Sequence, residues 1–269
     1  MKPKQLFHKV VHSAGAAMGV NGRVSEGKFQ YIARKYDFRG YKRIYLIHIR
    51  KTGGTSLNNM FLALAGGDSQ VLYRQLATLP SHRLLRNGLI FVGWDVGHIN
   101  RGNYFYGFSH TPLHELNLPD GTFTITCFRD PVERVLSHYN MLLGYRRTGT
   151  NHPCMALEGG WLGENFDHFL QRIPREHLLN QLYMFSRRFD IAEAQANVRR
   201  LSLSFFSDGF NGGVMEINRR TGVHLMPIHV RRAESHAPIS ATQLQSLRDM
   251  LAAEYTFLDQ VRAHSQSSS

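Results

Sequence analysis

The most constraining stretch of the chain is the apolar run Ile44-Tyr45-Leu46-Ile47-His48-Ile49 and the turn that follows it, Lys51-Thr52-Gly53-Gly54-Thr55-Ser56. The run reads as a strand buried on both faces. Two adjacent glycines then break it. Leu57, Met60, Phe61 and Leu64 fall at i, i+3, i+4 and i+7, one face of a helix that Gly66-Gly67 ends. The same unit recurs later. Phe123 to Phe128 reads as a strand, Arg129-Asp130-Pro131 as a turn, and Val132, Val135, Leu136 and Tyr139 as a helix face. Asp130 is placed as N-cap, Pro131 at the first helical position, and Glu133 three after the cap as in a capping box. Leu89 to Val92 is a further apolar run, the stretch from Trp94 to about His110 reads as a loop, and Leu203 to Phe206 reads as a last strand. Strand, tight turn and helix in alternation predict an α/β fold: a single domain with a central parallel sheet flanked by helices.

Composition narrows the class. The chain has 269 residues, 42% of them hydrophobic, enough for a sizeable core. Two cysteines exclude a disulfide scaffold and a four-cysteine zinc module. No run of 18 apolar residues occurs, so a cytoplasmic protein without a membrane span is expected. The net charge of +12 is uneven, because residues 1–50 carry 11 basic and 2 acidic side chains. This predicts a basic N-terminal arm over 1–40, a folded domain over 41–263 and a disordered tail over 264–269. The arm suits contact with an anionic polymer or membrane surface, whereas a sequence-specific nucleic-acid reader would spread its charge over a folded face.

The first turn is built for an oxyanion. Its glycines let the backbone wrap a ligand with N–H groups pointing inward, and a helix N-terminus adds partial positive charge. Thr52, Thr55 and Ser56 add hydroxyls. Lys51 is the last of seven lysines, and all 20 basic residues after it are arginine, so a lysine kept here suits a role that needs a compact point charge. The turn is not a Walker A loop, since the lysine precedes the glycines and the first glycine of that motif is missing. Arg129, at the end of a predicted strand, and Ser137, two helical turns on, offer a second grip on an oxyanion. Carboxyl ends of neighbouring parallel strands face one crevice, so both grips can serve one ligand.

The stretch Ile47-His48-Ile49-Arg50-Lys51-Thr52-Gly53-Gly54-Thr55-Ser56-Leu57 resembles the 5′-phosphosulfate loop of sulfotransferases that use 3′-phosphoadenosine 5′-phosphosulfate (PAPS). Cys127-Phe128-Arg129-Asp130-Pro131-Val132-Glu133-Arg134-Val135-Leu136-Ser137-His138-Tyr139 resembles their 3′-phosphate motif. The likeness is greatest to the carbohydrate branch that includes heparan and chondroitin 2-O-sulfotransferases, and spans roughly residues 43–262. It implies a P-loop-like sulfotransferase fold and a soluble, bacterial-type member. It also implies transfer of a sulfuryl group from PAPS to a hydroxyl acceptor, a saccharide or glycoconjugate, without a metal. The site residues it implies are Lys51, Thr52, Gly53, Gly54, Thr55, Ser56, Arg129 and Ser137 for the donor, and Lys51 with His98 for catalysis. His98, in Gly97-His98, stands where that branch has its base, with Asp95 to orient the ring. Arg50 departs from the proline usual before the loop lysine. Arg231 and Arg232 resemble a late loop that covers the nucleotide. Two other classes compete: a nucleotide kinase or NTPase, which needs magnesium and a Walker A loop, and a non-enzymatic polyanion binder.

Other residues are open to a bland reading. Trp94, Tyr104, Phe105 and Tyr106 suit stacking on a sugar or core packing equally. His48 is expected to pack rather than to catalyse, and His48 and His110 are next in line as base if His98 does not serve. His110, His114, His152 and Cys154 fit no compact zinc spacing.

Overall fold

The computed structural model describes residues 25–227 and 238–267. Six strands form one sheet in the order β2-β3-β4-β1-β5-β6. They are β1 (Arg43–Ile47), β2 (Arg83–Arg86), β3 (Leu89–Gly93), β4 (Tyr106–Ser109), β5 (Thr122–Phe128) and β6 (Leu203–Phe206). All neighbours are parallel except β2 and β3. The α/β class with a mostly parallel central sheet is therefore as expected, with one antiparallel edge. That edge is a two-residue hairpin, Arg86 pairing Leu89 across Asn87-Gly88, both at positive φ. Asn-Gly favours this turn because neither residue resists the left-handed region.

Helices cover both faces, so β1 and β3 are buried almost throughout, as their continuous apolar runs require. The helices are α1 (Glu26–Ala33), α2 (Gly54–Ala63), α3 (Ser69–Thr78), α4 (Val96–Arg101), α5 (Pro131–Thr148), α6 (Pro153–Glu158), α7 (Phe166–Arg172), α8 (Arg175–Leu178), α9 (Asn180–Tyr183), α10 (Ile191–Arg199), α11 (Phe210–Thr221), α12 (Ala241–Met250) and α13 (Ala252–Ser267). The main core lies between the sheet and its flanking helices, and a smaller cluster packs α5 against α7 and α12.

Several expectations change. The arm boundary at 40 falls inside packed structure: Phe29, Ala33, Tyr36 and Phe38 belong to the core, and the Tyr36 hydroxyl donates to Gly88 O at 2.7 Å. Apolar spacing on α1 outweighs the surrounding charge. Residues 1–24 lie outside the described residues, and so do Arg231 and Arg232. The tail boundary at 264 also shifts, since α13 continues to Ser267. The stretch from Trp94 to His110, expected as loop, holds α4 and β4. Tyr104, Phe105 and Tyr106 are fully buried, and Trp94 packs on Tyr73 and Phe108, so these aromatics are core and not a sugar platform.

Candidate functional site

β1 sits at the centre of the sheet, with β4 on one side and β5 on the other. The three strands run parallel, and the connections lead to opposite sides of β1, which opens a crevice at the carboxyl ends of these strands. Three segments meet there: the 50–56 turn after β1, His110 after β4, and Arg129 after β5.

The turn is held by close packing. Gly53 caps α2 at φ +100°, a conformation that favours glycine, and a Cβ there would lie 3.1 Å from the Phe210 ring. Gly54 opens α2 against the His48 imidazole, where a Cβ would fall 2.1 to 2.8 Å from ring atoms. The N–H groups of Gly53, Gly54 and Thr55 have no backbone acceptor among the described residues. They form the donor cluster expected of a helix N-terminus. The Thr55 and Ser56 side chains are half-exposed at this end. The Thr52 hydroxyl instead donates to Ile49 O at 3.0 Å and is buried, so it closes the turn.

Lys51 takes a positive φ of 68° although it is not glycine. Such a conformation costs roughly 1–2 kcal/mol and concentrates at functional positions. Its ammonium lies 3.4 Å from the Met141 sulfur on α5.

Arg129 joins the two turns. Its Nη1 donates to Lys51 O at 3.3 Å, and its Nε donates to Glu133 Oε2 at 3.1 Å. Asp130 caps α5 as expected, accepting from Glu133 N at 2.9 Å, and Pro131 is the first helical residue. The Glu133 side chain pairs with Arg129 where a capping box was expected. Glu133, Ser137 and Met141 are spaced by four on α5 and share a face. Glu133 touches Arg129 and Met141 touches Lys51, so Ser137 lies on the same side between them.

The histidines divide. His98 lies on α4, after β3, two strands from β1. Its backbone N–H donates to Asp95 Oδ1 at 2.7 Å, and Arg101 Nη2 lies 2.6 Å from its Nδ1. Burial and Arg83 lower its pKa. From there the chain leads away, since Gly102 O accepts from Arg43 Nε at the opposite end of β1. The His98 ring and backbone N–H contact Arg101 and Asp95 among the described residues, and Asp95 caps α4 through that N–H.

His110 follows β4 and stands beside the 50–56 turn. Its Nδ1 lies 2.6 Å from His48 O, and since a carbonyl only accepts, Nδ1 carries the proton and Nε2 keeps its lone pair. Its ring stands 4.3 Å from that of His48. Burial and nearby Arg50 push its pKa down to about 4, so the ring is neutral near pH 7. It lines a cavity of about 250 Å³ together with Arg50, His177, Asn180, Tyr183 and the carboxylates of Glu115 and Glu176. His48 is buried, its Nδ1 3.4 Å from Asn58 Nδ2, and it packs as expected.

Arg50 faces that cavity and is not simply solvated. It ion-pairs with Glu158, whose Oε2 lies 2.7 Å from His138 Nε2. Burial would raise the Glu158 carboxyl, yet His138 and Arg50 hold it below the usual range. In the sequence His110 stood only next in line as base behind His98, and the Arg50–Glu158–His138 chain was missed. A histidine one residue past a strand end, beside the anion loop, was the available signal. No group of three His, Cys, Asp or Glu able to hold a metal ion occurs among the described residues, and none of their helices is long and apolar enough to cross a membrane. No protein-family model matches the chain, and no curated protein matches it.

Proposed function

We propose that the protein is a sulfotransferase of P-loop-like topology that moves the sulfuryl group of PAPS to a hydroxyl acceptor, a saccharide or glycoconjugate. One observation carries this reading: the Arg129 guanidinium reaches the carbonyl of Lys51, so two anion grips from separate strand–turn–helix units stand side by side. A ligand with two anionic groups on one nucleoside fits that pair. A nucleoside triphosphate would use the loop and leave Arg129 and Ser137 without a role.

The residues divide the work. The N–H groups of Gly53, Gly54 and Thr55, with the Thr55 and Ser56 hydroxyls, hold oxygens around the transferring sulfur. Lys51 offsets charge that develops on the leaving phosphate oxygen. Arg129 and Ser137 grip the second phosphate. In the cavity beside the loop, Nε2 of His110 accepts the acceptor's hydroxyl proton as the new oxygen–sulfur bond forms and the sulfur–phosphate-oxygen bond breaks. The base in this reading is His110 and not His98.

The test is transfer of labelled sulfate from PAPS to a panel of sugars and phenols, or to water, with metals chelated. His110→Ala is expected to cut turnover about 10²–10⁴-fold, and His98→Ala to stay within about threefold of wild type. Activity lost in His98→Ala and kept in His110→Ala reverses the assignment. No transfer to any acceptor or to water by the wild type rejects the activity.

A further inference from the structure

The corner that carries Arg129 is braced by residues remote in the chain. Gln181 is fully buried, and its amide clasps the Arg129 backbone twice. Arg129 N donates to Gln181 Oε1 at 2.9 Å, and Gln181 Nε2 donates to Arg129 O at 2.9 Å. The second proton of that amide points to Glu254 Oε2 at 3.3 Å. Every polar atom of the side chain is used, and a flipped amide would set NH₂ against N–H.

Glu254, on α13, is also fully buried. Its Oε1 accepts from Gln181 N at 2.7 Å and from Leu182 N at 3.3 Å. Burial raises its pKa, while Arg134 and these N–H groups pull the other way. Arg134 is buried with its Nε 3.8 Å from Glu254 Oε2, and its Nη2 donates to His177 O at 3.1 Å and to Leu178 O. The next residue on α13 repeats the pattern, since the Tyr255 hydroxyl donates to Asp130 Oδ2 at 2.9 Å. Thus α13 braces both residues of the turn, Arg129 through Gln181 and Asp130 through Tyr255.

Such a network exceeds what fold stability asks. A buried ion pair with its polar partners is rarely more stabilising than an apolar replacement, and its best-attested use is to specify one geometry. What is specified here is the backbone from which Arg129 projects. We propose that Gln181 and Tyr255, anchored by α13 and Glu254, are positioning residues that aim the Arg129 guanidinium at the 3′-phosphate of the donor. This rests on the donor reading above.

The experiment compares affinities for 3′-phosphoadenosine 5′-phosphate and adenosine 5′-phosphate by calorimetry in wild type, Gln181→Met and Tyr255→Phe, each with its near-ultraviolet circular dichroism. The ratio of the two affinities isolates the 3′-phosphate. In Gln181→Met the ratio is expected to fall about tenfold, and in Tyr255→Phe about threefold, while affinity for the monophosphate stays within about twofold. Tyr255 is half-buried and its variant removes only a hydroxyl, so it decides alone should Gln181→Met not fold. An unchanged ratio in a folded variant overturns the inference, and so does an equal loss for both ligands. A wild type that shows no preference for the 3′-phosphate is a separate outcome: it overturns the donor reading and this inference with it.

Discussion

The two anion-binding corners are made by opposite means. The corner after β1 is held by contact: glycines lie against the His48 and Phe210 rings, and the Thr52 hydroxyl closes the turn from within. The corner after β5 is held by polar side chains from elsewhere, Gln181 and Tyr255, 52 and 125 residues away from the groups they bind. The first carries most of its instructions in six consecutive residues and nearby His48, with Phe210 as its distant contact. The second depends on the whole chain having folded. A contact-built corner tolerates no added atom, whereas a braced corner loses its aim by degrees when a strut is removed.

The largest effect should come from the contact-built corner. Gly54→Ala sets a methyl inside the His48 ring, which is itself buried against His110. Overpacking of this kind costs about 1–3 kcal/mol. Denaturant unfolding should show that loss, and donor binding should weaken by more than about 100-fold, since the loop must shift. A near-neutral Gly54→Ala would mean that the loop is soft and the contrast false.

Next is Lys51→Gly, which separates stability from function. Removing the side chain relieves a left-handed backbone, so stability should hold or rise by up to about 1 kcal/mol. Turnover should fall about 10²–10³-fold, because the charge on the leaving oxygen is no longer offset. Loss of both together would make Lys51 a structural residue.

The pH dependence concerns His110 and His138, both neutral when folded because burial lowers their pKa to about 4. Unfolded, each would titrate near 6.5. Between those values the unfolded chain binds more protons, so stability is full above about 6.5 and is lost as pH falls toward 4. The acid limb of kcat/KM should likewise lie below 6.5, and His110→Ala should abolish it. A limb at or above 6.5 would point to a different base.

The smallest effect tests the braced corner from outside. Glu133 holds Arg129 through an exposed pair four residues apart, worth only about 0.3–0.5 kcal/mol. Glu133→Gln should tighten the bisphosphate by about twofold, read by calorimetry.

This contrast also explains what could be read in advance. The Lys51–Ser56 turn, the Asp130 cap and the strand–helix alternation are local, and each appears where its pattern placed it. Asn87-Gly88 was an available signal for the hairpin that makes the antiparallel edge, and it went unused. Phe29, Ala33 and Tyr36 sit at helical spacing, but neighbouring lysines and arginines hid them inside an apparent arm. β4 was lost among glycines and aromatics, so His110 ranked behind His98 without the strand end that places it beside the loop. No local pattern marks Gln181 or Glu254, because their role is defined only by which backbone each meets across the fold.

The central claim is that both corners hold one ligand. Calorimetry of 3′-phosphoadenosine 5′-phosphate, adenosine 5′-phosphate and ATP, with and without magnesium, tests it in wild type and Arg129→Ala. The account predicts that the bisphosphate binds at least about tenfold more tightly than the monophosphate without metal, and that Arg129→Ala removes this advantage. Equal affinities in the wild type, or tightest binding by ATP with magnesium, would contradict it.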